Sequence, residues 1–267
     1  MFLGRTFMLP GVYSATKKDG TIFYRSSITF KNKHISLGSY SSEEAAHNAY
    51  LVACDIVFNK QHSIHDFTGT ALPFDKAICL INLRDNGLYF HNPIYLREKY
   101  FEYYLTPDKH LKFDADDLFY YSKHKIMVRG GHMFVSDYGM QVNILSRFGI
   151  GKYAVPGRDY FFINGDRTDF RYNNIEVINK YFGVFRQGRE NNYRYTAKIH
   201  IKGTVKIGTY PTESMAAIAY NKAADILNTN GLKKEFNKNY IEDMNAIEYS
   251  GIYNKIRISP YIKGFTV

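Results

Sequence analysis

Apolar and polar residues alternate with period two from Arg194 to Lys202. Tyr195, Ala197, Ile199 and Ile201 fall on one face, and Arg194, Thr196, Lys198, His200 and Lys202 on the other. Such alternation predicts a strand with one buried and one solvated, basic face. Lys202-Gly203 predicts a turn, after which Val205 and Ile207 continue the apolar face opposite Thr204, Lys206 and Gly208. The pattern also occurs near the start of the chain. There Tyr24, Ser26, Ile28 and Phe30 oppose Arg25, Ser27, Thr29 and Lys31, Lys31-Asn32-Lys33 predicts the turn, and His34 and Ser36 point outward from the next strand. Gly11-Val12-Tyr13 and Gly183-Val184-Phe185 each supply a preceding strand, so three antiparallel strands are expected per module.

The period then becomes helical. Ser41 and Glu44 have capping-box spacing, and Ala45, Ala46, Ala49, Tyr50, Ala53, Ile56 and Val57 form an apolar stripe. Thr212 is the expected cap of the later helix, with Ala216, Ala219, Tyr220, Ala223, Ile226 and Leu227 as its stripe. The two stretches are copies of one module. Their offset is 172 between Gly11 and Gly183 and 170 between Tyr40 and Tyr210, so each of two turns gains or loses a residue. Each helix is expected to cover one face of its sheet and leave the other open.

The Leu37-Gly38-Ser39-Tyr40 and Ile207-Gly208-Thr209-Tyr210 corners, the Ala-Ala…Ala-Tyr helices and the trailing Asp66-Phe67 and Glu235-Phe236 resemble the plant ethylene-response-factor (Apetala-two) DNA-binding domain. That family lays a three-stranded sheet in the DNA major groove. The resemblance implies contact residues Phe185, Gln187, Lys198, His200, Thr204 and Lys206 in the second copy. In the first it implies Tyr13, Ala15, Ser27, Thr29, His34 and Ser36. Arg25, Lys31, Arg194 and Lys202 add charge to the same faces. Family members carry Arg or Trp at several of these positions. Tyr13, Phe185, Ser36 and Lys206 depart from that, so no base preference transfers.

Between the modules, Phe101–Leu105 and His110–Phe113 predict a hairpin around Pro107-Asp108, and Asp114–Lys125 a short helix opened by carboxylates. Asp85-Asn86-Gly87 predicts a further hairpin. Residues 161–175, with Asn164-Gly165 and Asn174-Ile175, and the earlier Val142-Asn143-Ile144-Leu145 resemble HNH homing-type endonucleases. The family's general-base His and its neighbouring metal-binding carboxylate fall on Phe162 and Phe161. An aromatic ring neither activates water nor holds a divalent ion. Asn174-Ile175 also runs almost directly into the second module, leaving no room for the helix that carries the family's last metal ligand. The resemblance thus implies an HNH-like scaffold without its chemistry, in which Asn164-Gly165 forms a turn and Asn174 ties it. Arg158, Arg167 and Arg171 remain candidates for phosphate contact.

Composition sharpens the function class. Net charge is +10 with 45% hydrophobic residues, which suits a folded protein with a polyanionic partner. Cys54 and Cys79 sit in apolar contexts and are expected as reduced core thiols. Met1–Pro10 lacks a signal-peptide core, and no apolar run, Ala77–Ile81 included, is long enough to span a bilayer. A cytoplasmic protein is expected, with no membrane partner. His62 and His65 have metal-like spacing but no third ligand nearby, and no cofactor or metal is expected.

The expected fold is α+β, with two three-stranded antiparallel sheet-plus-helix modules flanking a degenerate HNH-like α+β middle domain. The expected segments are residues 1–69, 70–180, 181–237 and a C-terminal extension, 238–267. The expected function is non-catalytic binding of double-stranded DNA, as a regulator in a phage or mobile element. Two alternatives stand beside it. One is an anti-defence inhibitor that binds a guide-RNA-directed host nuclease; the other is an HNH-type endonuclease with rearranged ligands.

Overall fold

Helices and short antiparallel sheets are mixed along the chain as an α+β fold, with no barrel among the described residues. The structure, a computed structural model, describes residues 8–266. Most of the leading Met1–Pro10 segment lies outside them. Two compact units form, one from residues 1–142 with 167–172, the other from 143–166 with 173–267. The stretch 70–180, expected as one middle domain, is therefore divided between them.

The first unit opens with β1 (Val12–Thr16), β2 (Ile22–Phe30) and β3 (Lys33–Tyr40), ordered β1-β2-β3 and antiparallel. Lys31 and Asn32, at φ +47° and +60°, make the two-residue turn whose twist suits a hairpin. The helix α1 (Glu43–Phe58) then lies on the inner face, burying Ala49, Ala53, Ile56 and Val57 against Ile28, Ile35 and Leu37. Its cap is Ser42, whose Oγ accepts from the N–H of Ala45 at 3.2 Å, one residue later than the predicted Ser41. Ser42 is the residue whose extended backbone aims its hydroxyl at the exposed first turn.

A second helix, α2 (Phe74–Asn86), packs on α1 and shares its core through Ala77, Ile78, Leu80 and Ile81. The Asp85-Asn86-Gly87 hairpin is thus corrected. Gly87, at φ +76°, ends this helix in the left-handed conformation that glycine adopts without penalty. Next come β4 (Ile94–Leu96), β5 (Tyr100–Thr106) and β6 (Lys109–Asp114), in which β5 and β6 form the predicted hairpin. The helix α3 (Leu118–Lys123) follows its acidic opening, and β7 (Ile126–Arg129), β8 (His132–Asp137) and β9 (Met140–Asn143) form another sheet. Residues 167–172 complete this unit. Lys112 exchanges backbone hydrogen bonds with Thr168 and Phe170, and the Phe170 ring stacks on Phe113 at 5.6 Å within a cluster that includes Phe101 and Tyr121.

The second unit begins with β10 (Tyr160–Phe162) paired to β11 (Ile175–Val177). Then β12 (Val184–Gln187), β13 (Arg194–His200) and β14 (Thr204–Tyr210) form a sheet ordered β12-β13-β14, under α4 (Glu213–Thr229). Thr212 caps α4 as expected, accepting from Met215 N–H at 3.2 Å. The C-terminal extension folds back, and α5 (Ala246–Lys255) and α6 (Pro260–Lys263) pack on α4. Ile256, Ile258 and Ile262 join its core, which explains why Ala217, Ile218 and Ala224 are buried beyond the predicted stripe.

The two modules agree in detail well below the level of the sequence motif. Each ladder slips by one residue at the same place, between Ser26 and Ser27 and between Ala197 and Lys198. There the N–H of Ser27 donates to Gly11 O at 3.0 Å, and that of Lys198 to Gly183 O at 2.8 Å. In both, a helix-opening glutamate accepts from the chain entering the module: Glu43 from Leu9 N–H at 2.6 Å, Glu213 from Lys180 N–H at 2.8 Å. One difference is informative. Ser26 occupies the place of Ala197, and its fully buried Oγ has no hydrogen-bond partner. Ser26→Ala is expected to stabilise the first unit by about 1 kcal/mol, read as a higher urea midpoint.

Candidate nucleic-acid interface

Directly opposed residues in an antiparallel pair share a face, so the register defines each outer surface. In the second module Phe185 lies opposite Thr196, Gln187 opposite Arg194, Lys198 opposite Lys206 and His200 opposite Thr204. The β-bulge keeps Lys198 and Lys206 level despite the slip. One surface therefore carries Phe185, Gln187, Arg194, Lys198, His200, Thr204 and Lys206, with Lys202 at the adjoining turn. The opposite surface holds Val184, Ala197, Ile199 and Ile207 against α4.

Lys198 on this surface is held in place without being neutralised. Lys198 Nζ stands 5.2 Å from the Phe185 ring centroid, which restrains a long side chain by cation–π attraction. Among the described residues Arg194, Lys198, Lys202 and Lys206 pair with no carboxylate. Gln187 accepts from Thr196 Oγ1 at 2.9 Å, and Thr196 meets Thr209 at 3.0 Å, so a polar row ties the three strands together under the cations. The unit holds 17 Lys and Arg against 10 Asp and Glu, a net +7 of the chain's +10.

The corresponding surface of the first module is poorer in charge. Tyr13 lies opposite Arg25, Ser27 opposite Ser36 and Thr29 opposite His34, all on the outer face with Ala15. Arg25 stacks on Phe23 at 5.3 Å, and Thr29 Oγ1 meets His34 Nδ1 at 3.3 Å. Lys31 does not belong to this surface. Its turn conformation sends the ammonium group to Leu83 O at 3.1 Å and Arg84 O at 3.2 Å, the carbonyl end of α2. A cation there offsets the helix dipole and satisfies unpaired carbonyls. Lys31→Met is expected to lower the first unit's stability by about 0.5–1 kcal/mol in urea unfolding while leaving affinity for DNA unchanged.

Residues 161–175 are also placed. Phe161 and Phe162 lie on β10 opposite Glu176 and Ile175. Asn164-Gly165 turns with Gly165 at φ +78°, and buried Asn174 ties the turn through its Oδ1, which accepts from Asn164 N–H at 2.9 Å. Two of the three candidate phosphate contacts are engaged within the fold. Arg171 clasps buried Asp169 at 2.8 and 2.6 Å, and Arg158 clasps Asp159 at 3.0 and 2.6 Å. His62 lies 3.1 Å from Asp55 and 3.6 Å from Asp66. Among the described residues no group of three His, Cys, Asp or Glu is placed to hold a metal ion, and no helix is long and apolar enough to cross a membrane. Cys54 is partly exposed and Cys79 is buried, and both are free thiols; burial pushes the Cys79 thiol up to about 12.

Arg158 has a second role that no local sequence pattern announces. Its guanidinium lies 5.3 Å from the Phe185 ring centroid, so it flanks the same ring as Lys198. Asp159 anchors it. Burial opposes charge on that carboxyl, but the Arg158 guanidinium, Val155 N–H and the Asn179 amide outweigh burial and hold it below its ordinary range. A carboxylate depressed in this way stabilises the fold above about pH 4, and the gain is lost as pH falls through the folded value. Urea midpoints of the second unit are therefore expected to drop as pH falls below about 4, with a shallower drop in Asp159→Asn.

Comparison with known proteins finds no matching family model, curated protein or solved structure.

Proposed function

We propose that the chain binds double-stranded DNA without cutting it, laying the outer surface of β12–β14 in the major groove. The observation that carries this reading is Lys198 set level with Lys206, with Arg194 on the same face and none of the three paired with a carboxylate among the described residues, on a sheet whose other side is sealed by α4. A sheet of this width fits the major groove, and cations spaced along it meet phosphates on either side. The first module, whose outer face carries Arg25 among mostly uncharged residues, acts as a weaker second contact. Joined in one chain, two modest surfaces raise each other's effective concentration. The likeness to Apetala-two domains supports the same docking mode, and aromatic rings at Phe161 and Phe162 support binding without hydrolysis.

The test is duplex binding measured across a salt series. Each phosphate neutralised contributes about −0.9 to the slope of log K against log salt, so full engagement of Arg194, Lys198, Lys202 and Lys206 gives roughly −3.5. A flat profile removes the proposal. Supercoiled plasmid incubated with magnesium or manganese is expected to stay intact. Nicking that a point substitution in residues 161–175 abolishes would overturn the non-catalytic part.

A further inference from the structure

A cleft of about 290 Å³ opens beside β12 within the second unit. Its origin is topological. The ladder between β12 and β13 ends at Val184 and Ala197, and after the Lys198 N–H bond to Gly183 O, Ile199 and His200 continue with β14 on one side only. The segment Lys234–Asn237 closes the far wall, and Lys234 Nζ donates to His200 O at 2.8 Å.

The walls combine two chemistries. Phe182, Phe185 and Phe236 supply rings, and Phe182 is fixed edge-on between Tyr153 at 4.8 Å and Tyr220 at 5.4 Å. Cations gather around the rings: Lys198 and Arg158 over Phe185, and Lys234 at 5.6 Å from Phe236. Of the two lining carboxylates, Asp159 is already neutralised by Arg158, so positive charge remains in excess.

We propose that this cleft binds one nucleotide, its base against the phenylalanine rings and its phosphate between Lys198 and Lys234. Base–aromatic stacking with adjacent cations is the general means of holding an unpaired nucleotide. A wholly apolar ligand would strand the cations, and a simple anion would leave the rings uncovered. Because Phe185, Lys198, His200 and Thr204 border both the cleft and the outer sheet surface, two sources present the same chemistry. One is a nucleotide swung out of a duplex lying on the sheet, at an unstacking cost least where the base is already unpaired. The other is a free nucleoside monophosphate. Only the first source rests on the duplex-binding reading.

The experiment uses the full chain and the 5′-monophosphate of 2-aminopurine deoxyriboside, whose fluorescence falls on stacking. One arm titrates the free nucleotide, and the other a duplex carrying the same base opposite an abasic site. Saturable quenching is expected in at least one arm, about tenfold weaker in both Lys234→Ala and Phe236→Leu, with affinity for a fully paired duplex unchanged. Quenching by the free nucleotide assigns a diffusible ligand; quenching in the duplex arm alone assigns a strand-borne base. No quenching in either arm overturns the proposal, as does quenching that both variants retain. If the wild-type chain fails to bind paired duplex, the duplex reading falls, while the free-nucleotide arm still reports on the cleft.

Discussion

The double variant Lys198→Ala/Lys206→Ala is expected to bind duplex DNA roughly fifty- to a hundredfold more weakly near 0.1 M salt, with a salt slope flatter by about 2. The size follows from counterion release. Each lysine that leaves a phosphate returns one condensed ion to the duplex, and the two losses multiply. The pair is chosen because register, rather than proximity in the chain, sets the residues level on adjacent strands. Neither side chain is bonded to a carboxylate, so their removal leaves no orphaned acid and folding should be unaffected. Arg25→Ala on the first module is the control, with a slope change of at most about 1. Electrophoretic or anisotropy titrations at several salt concentrations read both. Wild-type affinity and slope in the double variant would dismiss the second sheet as the contact surface.

A larger effect on stability is expected from a single methyl group. Gly183 sits at φ +72°, and a Cβ there would lie 2.6 Å from both Lys198 O and the Tyr220 ring. Gly183→Ala therefore combines an unfavourable left-handed backbone with a clash against a carbonyl that cannot swing away, costing about 3 kcal/mol or more. Gly11 has the same conformation at φ +74° and the same relation to Tyr50, so Gly11→Ala should disrupt the first module in the same way. Gly203→Ala is the contrasting case, because nothing lies within 4 Å of its added Cβ. Urea unfolding should show a marked loss for Gly183→Ala and almost none for Gly203→Ala. Equal midpoints for the two would refute the close-packing account of the Gly–Tyr pair.

Both modules were legible because period-two strands and alanine-striped helices are local patterns, and the second copy checks the first. The hairpin β5–β6 was legible for the same reason, whereas the turn tied by Asn174 was expected from the family resemblance. Errors arose where one local motif serves two structures. Asp85-Asn86-Gly87 is as good a helix terminator as a hairpin turn, and only packing of Ala77, Ile78 and Ile81 on α1 decides between them. Adjacent Ser41 and Ser42 both precede the helix, and a one-residue difference in backbone direction selects the cap. Lys31 looked like part of a basic face because its alternation continues from β2. The turn redirects it toward carbonyls more than fifty residues later in the chain. The partition of residues 70–180, the stacking of Arg158 on Phe185 and the cleft beside β12 depend on distant residues meeting, which no periodicity records.

Residues 167–172 lie between β10 and β11 in the chain yet supply Phe170 to the aromatic cluster of the first unit. During synthesis, then, the earlier unit must wait with that aromatic site unfilled until this short loop has emerged from the ribosome. Fragments made by cutting after residue 142 would fare no better, since the excised amino-terminal piece would lack the ring that finishes its interior.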